Sequence, residues 1–391
     1  MSHPDRLVPL AVDAFLPHAK ALRHDLHRHP ELLFDLPRTA GVVRGELDRL
    51  GIPWRACAGH GTVAWLARGR AGVQRALRCD LDALPLTEST GAAWSSTIPG
   101  RMHACGHDGH TATLLAAAAF LKANELALPS QVTLIFQPAE EGGHGAREMI
   151  ADGCLEGIDE VYGWHNWPPI PFGRAACPVG PVMGANAEWY ATIHGRGGHA
   201  AQPERCIDPI AVGAAFTTLV QQVVSRQTAP QQALVVGVSC FHAGTYDNII
   251  PDTAELVGTV RAATTALRDA AAVRVQAVLQ ACCAAAGAHA DFRVEPCYGA
   301  TVNHPLAQAR AAAALDAIMP AGWSWTENIP LLAAEDFGYY AEQRPACYVL
   351  LGAGRPGYTI EPCHSCRFDF NDDLIPVGLR WFAHVVGLPN V

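Results

Sequence analysis

A chain of 391 residues is long enough for two or three domains with sizeable cores. Half of its residues are hydrophobic, 17% are charged and the net charge is −9. That is the balance of a soluble globular protein, with the wrong sign for a nucleic-acid partner. No apolar run reaches the ~18 residues of a membrane span, which argues against a membrane partner. The opening MSHPDRLVPLAVDAF lacks the basic-then-apolar pattern of a signal peptide. The 13 cysteines are odd in number and follow no repeating frame, unlike a disulfide scaffold. They read as mostly buried thiols in a reducing, cytoplasmic setting.

In chain order, the first 50 residues read as helical, with PRTAGVVRGELDRLG ending on a glycine stop. Short apolar runs follow that read as strands: TVAWLA (62–67), QRALRCD (74–80), QVTLIFQ (131–137) and DEVYGWH (159–165). An Ala-rich helix over 110–123 separates the second from the third. Strands alternating with helices predict a mostly parallel sheet covered on both faces. From about 185 the pattern changes. AEWYATIHG, ALVVGVSCF, TAELVGTVRA and ADFRVEP read as strands, while IDPIAVGAAFTTLVQQVVSRQ and TALRDAAAVRVQAVLQACCAAAG read as helices. The order is β-α-β-β-α-β, the split arrangement of a small α+β domain. The predicted class is α/β, with one discontinuous domain (1–184 and 298–391) and an inserted α+β domain (185–297).

The stretch MHACGHDGHTA (102–112) crowds three histidines, a cysteine and an aspartate into eleven positions. Three of the predicted strands end on ionisable groups: Asp80 and Asp82, Glu140 and Glu141, and His165. Ligand sites in open α/β sheets gather beyond the carboxyl ends of the strands, so these groups share one crevice with the His/Cys loop. Carboxylates buried that close together need cations. A Cys/His/Glu mixture suits zinc, manganese, cobalt or nickel and does not suit calcium or magnesium. With metals present, one glutamate of the pair can ligate while its neighbour serves as general base.

The motifs RHDLHRHPEL, RCDLDALPLTE, MHACGHDGHTA, FQPAEEGGHGAREMI, GRGGHAAQP, NIIPDTAELVGTVR, AAEDFG and HSCRFDFND occur in that order. Together they resemble the amidohydrolase branch of the dinuclear-metal aminoacylase and carboxypeptidase superfamily, which includes hippurate hydrolases, indoleacetyl-amino-acid hydrolases and N-acetyldiaminopimelate deacetylases. The resemblance covers nearly the whole chain. It implies a metallo-amidohydrolase that cleaves N-acyl amino acids and carries two divalent transition-metal ions per subunit. It places the ligands at Cys105, His107, Glu141, His165 and His364, with Cys105 bridging. One ion would add Glu141 and His364, the other His107 and His165. Glu140 would be the general base towards a bridging water, and Asp82 would orient a ligand histidine. His199 would hold the oxyanion, from a neighbouring subunit in a homodimer or higher oligomer built through the inserted domain. Asn248 and Arg261 would bind the substrate carboxylate.

Other groups read as structural. His24, His27 and His29 crowd a helix end with no carboxylate partner evident at ligand spacing. His103 and His110 flank the ligand positions, in support of them or in solvent. His144 could face the crevice. Cys363 and Cys366 bracket His364 where the family usually has proline after HS. That spacing can be redox-active or metal-binding, but without a second pair it reads first as packing, as does Cys79. The stretch AAWSSTIPGR leans towards aryl or aliphatic acyl groups. Alternatives within the same chemistry are an N-acetyl- or N-succinyl-diaminopimelate deacylase and a dipeptidase or carboxypeptidase.

Overall fold

The computed structural model describes residues 11–388 except Pro356, Tyr358 and Ile360. Residues 1–10 of the segment read above for a signal peptide lie outside the described residues. The chain divides into two compact units. The second comprises Met183–Thr301 and Pro330–Glu335, and the first takes the remainder. The segment Pro330–Glu335, expected in the discontinuous domain, thus belongs with the insertion. The reason is backbone pairing: the Gly184 N–H donates to the Leu331 and Ala333 carbonyls at 2.7 and 3.0 Å. The Arg261 guanidinium donates to the Leu332 carbonyl at 3.3 Å.

The first unit is built on a seven-stranded sheet in the order Trp54–Cys57, Gly61–Leu66, Val132–Gln137, Arg75–Asp80, Glu160–Pro171, Ala346–Gly354, Ala175–Ala176. The four strands from Val132–Gln137 to Ala346–Gly354 run parallel, and the outer strands pair antiparallel. VTLIFQ and RALRCD are buried along their whole length, as strands covered on both faces must be. The Ala-rich helix His107–Ala123 packs against Leu16–Arg28 and Leu374–Val385, and its small side chains let it be buried almost all round. It starts at His107, three residues before the predicted 110. Gly106, at φ 95°, turns the chain sharply into the first turn. The strand predicted over 159–165 continues to Pro171.

The second unit holds a four-stranded antiparallel sheet in the order Leu234–Ala243, Thr253–Ala262, Ala185–His194, His289–Pro296. Pro209–Leu219 and Thr265–Ala286 pack against it, so the predicted β-α-β-β-α-β order is the one observed. Asp208 caps the first helix by accepting the Ile210 N–H at 2.8 Å. The helix predicted over 207–227 breaks after Leu219, and a short turn of helix resumes over Gln222–Ser225. Among the described residues no helix is long and apolar enough to cross a membrane.

Candidate metal centre

Three parallel strands set the floor of the site. Arg75–Asp80 delivers Asp80 and Asp82, Val132–Gln137 delivers Glu140 and Glu141, and Glu160–Pro171 carries His165. The loop before the helix His107–Ala123 lays Cys105 and His107 across them. A Cβ on Gly106 would fall 2.2 Å from Asn166 Oδ1, so only glycine lets the loop come this close. His364 arrives from the C-terminal region, its backbone N–H donating to the Ala104 carbonyl at 2.7 Å.

Cys105 Sγ lies 3.3 Å from His165 Nε2, and His364 Nε2 lies 3.3 Å from Glu141 Oε1. His107 Nε2 is 4.0 Å from the same carboxylate oxygen. Of the groups whose donor atoms lie close enough to share an ion, two divide the proposed ligands between them: Cys105, His107 and His165 form one, and Cys105, Glu141 and His364 the other. Cys105 is common to both. In each group the donors lie within 4.8 Å of one another.

The chemistry of these atoms fits a cation. Both ring nitrogens of His107 are buried without a hydrogen-bond partner, a costly state unless something else satisfies them. Burial opposes charge on His107, yet Asp80, Asp82 and Glu141 outweigh it and push the ring up to about 10, which measures the surplus negative charge around it. Burial and the neighbouring His110 push His165 well down, into the neutral form that ligates. A hydrogen bond in which the Cys105 thiol is the donor to Cys363, together with burial, pushes that thiol well up, so its thiolate form calls for a compensating cation.

The support around these donors is polar and buried. Asp82 accepts the backbone N–H groups of Glu140 and Glu141 at 2.9 and 3.1 Å. Its Oδ1 also lies 3.6 Å from His107 Nδ1. One aspartate therefore shapes the Glu–Glu loop and faces the histidine. Asp80 meets His110 Nδ1 at 2.7 Å, and His110 Nε2 meets Asn166 Oδ1 at 2.7 Å. The Arg78 guanidinium donates to Asp80 at 2.7 Å and to Asp336 at 3.0 Å.

Residues 76–387 match the model of peptidase family M20/M25/M40. The chain belongs to this family. Thermostable carboxypeptidase 1 of Saccharolobus solfataricus is 34% identical over 363 residues, 91% of either chain. The N-acetylcysteine deacetylase of Bacillus subtilis is 34% identical over 369 residues, 93% of this chain and 94% of that one. Among solved structures, the YXEP protein of Bacillus subtilis, described as a dinuclear metal binding peptidase from the M20 family, superposes with a TM-score of 0.83. It is 30% identical, and the match covers 96% of this chain and 98% of that one. This M20 chain is a hydrolytic metalloenzyme of amidohydrolase type, and its donor groups suit two divalent ions.

Of the residues singled out from sequence, Cys105, His107, Glu141, His165, His364, Glu140 and Asp82 meet in the first unit of the M20 chain. His199, Asn248 and Arg261 lie in the second. There the Asn248 carbonyl accepts the Ala200 N–H at 3.0 Å, so Asn248 and the His199 turn are joined. His199 is exposed, and its Nδ1 accepts the Ala201 N–H at 3.0 Å. Arg261 is apart from both, on the strand Thr253–Ala262 with its guanidinium on Leu332.

Four readings need correction or completion. The N-terminal histidines do have carboxylate partners. His27 lies 2.8 Å from Asp108 and 3.4 Å from Glu88, and His24 lies 3.2 Å from Asp372. The partners of His24 and His27 are distant in sequence, so no spacing rule could find them, whereas His29 lies 3.5 Å from Asp25, four residues before it. His110 is a buried link between Asp80 and Asn166, and His144 meets the Tyr339 hydroxyl at 2.8 Å. Trp94, in the stretch read for acyl preference, stacks on His24 at 3.9 Å and donates to Asp369 at 3.1 Å. Asp108 and Asn166 were missed as site-building residues. Asp108 stood in plain view inside the metal loop, whereas nothing local marks Asn166 except that it follows His165.

Proposed function

We propose that this enzyme hydrolyses the amide bond of N-acyl amino acids, releasing a carboxylic acid and a free amino acid. The observation that carries the reading is the pair of donor groups sharing Cys105, with the Glu140 carboxylate within 4.8 Å of the His107 and Glu141 donors. Cys105, Glu141 and His364 would hold one divalent cation, and Cys105, His107 and His165 the other. When bound, the ions supply Lewis acidity to a water and to the scissile carbonyl. Glu140 takes the proton of the attacking water and delivers it to the departing amine nitrogen. Asp82 fixes the Glu140 backbone and faces His107, so the base and one ligand are held by the same carboxylate. His199 donates to the developing oxyanion, a contribution of ~3 kcal/mol to the barrier. Asn248 and Arg261 recognise the carboxylate of the substrate. The relationship to an N-acetylcysteine deacetylase supports this substrate class.

The relationship to a carboxypeptidase favours a second reading, since a dipeptide is itself an N-acyl amino acid. Metal-stripped enzyme refilled separately with zinc, manganese, cobalt or nickel should be tested on N-acetyl, N-benzoyl, N-indoleacetyl, diaminopimelate and dipeptide substrates. Faster turnover of N-acyl amino acids than of dipeptides is expected, and the reverse order would give the second reading. Glu140→Gln should keep its metal by elemental analysis while kcat falls by ~10²–10⁴. Undiminished turnover in that variant would remove Glu140 from the role of base.

A further inference from the structure

The loop that brings His364 to the metal centre also brings a second thiol. Cys363 is half-buried, and its side chain lies beside that of Cys105. Its Sγ lies 4.0 Å from the Cys105 carbonyl oxygen. From the other side the Asn166 amide Nδ2 donates to the same sulfur at 3.6 Å. Asn166 is itself held by His110. Cys366, the other cysteine of the loop, is engaged elsewhere: the Ser89 hydroxyl donates to its sulfur at 3.1 Å and the Ser89 N–H to its carbonyl at 2.8 Å. Cys177 and Cys347 also approach to 3.7 Å between sulfurs, but both are sealed in the core. Cys363 therefore combines partial solvent access with a thiol neighbour, and that neighbour is the donor shared by both metal groups.

We propose that Cys363 is an oxidation site for peroxide, closing a disulfide onto Cys105 and so disassembling the metal centre. The Cys363 sulfur attacks one peroxide oxygen, the O–O bond breaks, and a sulfenic acid and one water result. The Cys105 sulfur then attacks the sulfenic sulfur, the S–O bond breaks, and the S–S bond forms with release of a second water. Two thiols are oxidised by two electrons in total and one hydrogen peroxide is reduced to two waters. The loss of metal rests on the donor assignment made above, whereas the disulfide itself does not.

The test uses the enzyme as purified, with its metal. It is exposed to graded hydrogen peroxide, quenched with an alkylating reagent, digested without reduction and mapped by mass spectrometry. Metal content and hydrolytic activity are followed in parallel, before and after dithiothreitol and metal. The expected result is a peptide linking Cys105 to Cys363 that rises as metal and activity fall and disappears on reduction. Cys366→Ala should still form it. Cys363→Ser should not, and its activity loss at high peroxide should resist dithiothreitol. A Cys363–Cys366 link in place of the expected one overturns the proposal. So does the absence of any Cys363 link at doses that oxidise the exposed Cys240. A Cys105–Cys363 link at unchanged metal content upholds the oxidation site and counts instead against Cys105 as a ligand.

Discussion

Cys105 belongs to both of the groups proposed to hold ions, so on that assignment its removal reaches further than removal of any one imidazole. Cys105→Ala is expected to lose both ions by elemental analysis, whereas His364→Ala should retain the ion held through His107 and His165. A second residue-scale consequence concerns acidity. Burial works against a charged His27, but Asp108 and Glu88 overcome it and lift the ring to about 9. A histidine raised in the folded state stabilises fully below its unfolded value near 6.5, and that contribution is lost as pH climbs through 9. Its full size is ~3 kcal/mol. His103 moves the other way. Burial is the main cause, and it depresses the ring to about 3, so its contribution fades as pH falls from about 6.5 towards 3. The melting temperature should peak between these limbs. In His27→Gln the alkaline decline from pH 6.5 to 9 should flatten; an unchanged decline would remove His27 as its source.

At the scale of elements, the decisive feature is the entry into the helix His107–Ala123. Gly106 adopts a left-handed conformation and presses against Asn166. Gly106→Ala should therefore strain the turn and push the metal loop away from its floor, destabilising by ~2 kcal/mol or more. Calorimetry together with metal titration checks both effects. The helix itself was legible in the sequence, because an Ala-rich run between two apolar strands has few other readings. Its first turn was not: HDG carries no cap signal, and the turn is set by Asp80, Asn166 and Phe370 from remote segments. The ligands showed a similar split. Candidate donors in compact motifs, the loop 102–112 and the Glu–Glu pair, could be proposed from sequence, and the structure brings them together. The partners of His27, Arg78 and Asn166 could not, since contacts between Arg78 and Asp336 or His27 and Asp108 leave no local periodicity.

For the whole molecule, alternation of apolar runs and helices was enough to predict the mostly parallel sheet and the β-α-β-β-α-β order, since each imposes a period on the chain. The return of Pro330–Glu335 to the second unit left no such mark, as its membership depends on carbonyls accepting from Gly184 and Arg261. All five proposed ligands and Glu140 belong to the first unit. The strands Gly180–Met183 and Thr301–Asn303, which flank the insertion, pair with each other, so a short linker can join them. Replacing residues 184–300 with such a linker should leave a chain that still binds two ions by titration calorimetry. It should have lost turnover if His199, Asn248 and Arg261 act as proposed. Full turnover would move the chemistry entirely into the first unit.

The proposed ligand loops come from segments as far apart in the chain as Cys105 and His364, and in the unfolded polymer nothing keeps them near one another. Ions seated among them act as reversible staples, gripping the native form and releasing the random coil. Durability then becomes a function of supply: per site, each tenfold rise in free cation above the dissociation constant adds ~1.4 kcal/mol. An organism short of that element would hold enzyme that is both idle and more readily cleared by proteolysis.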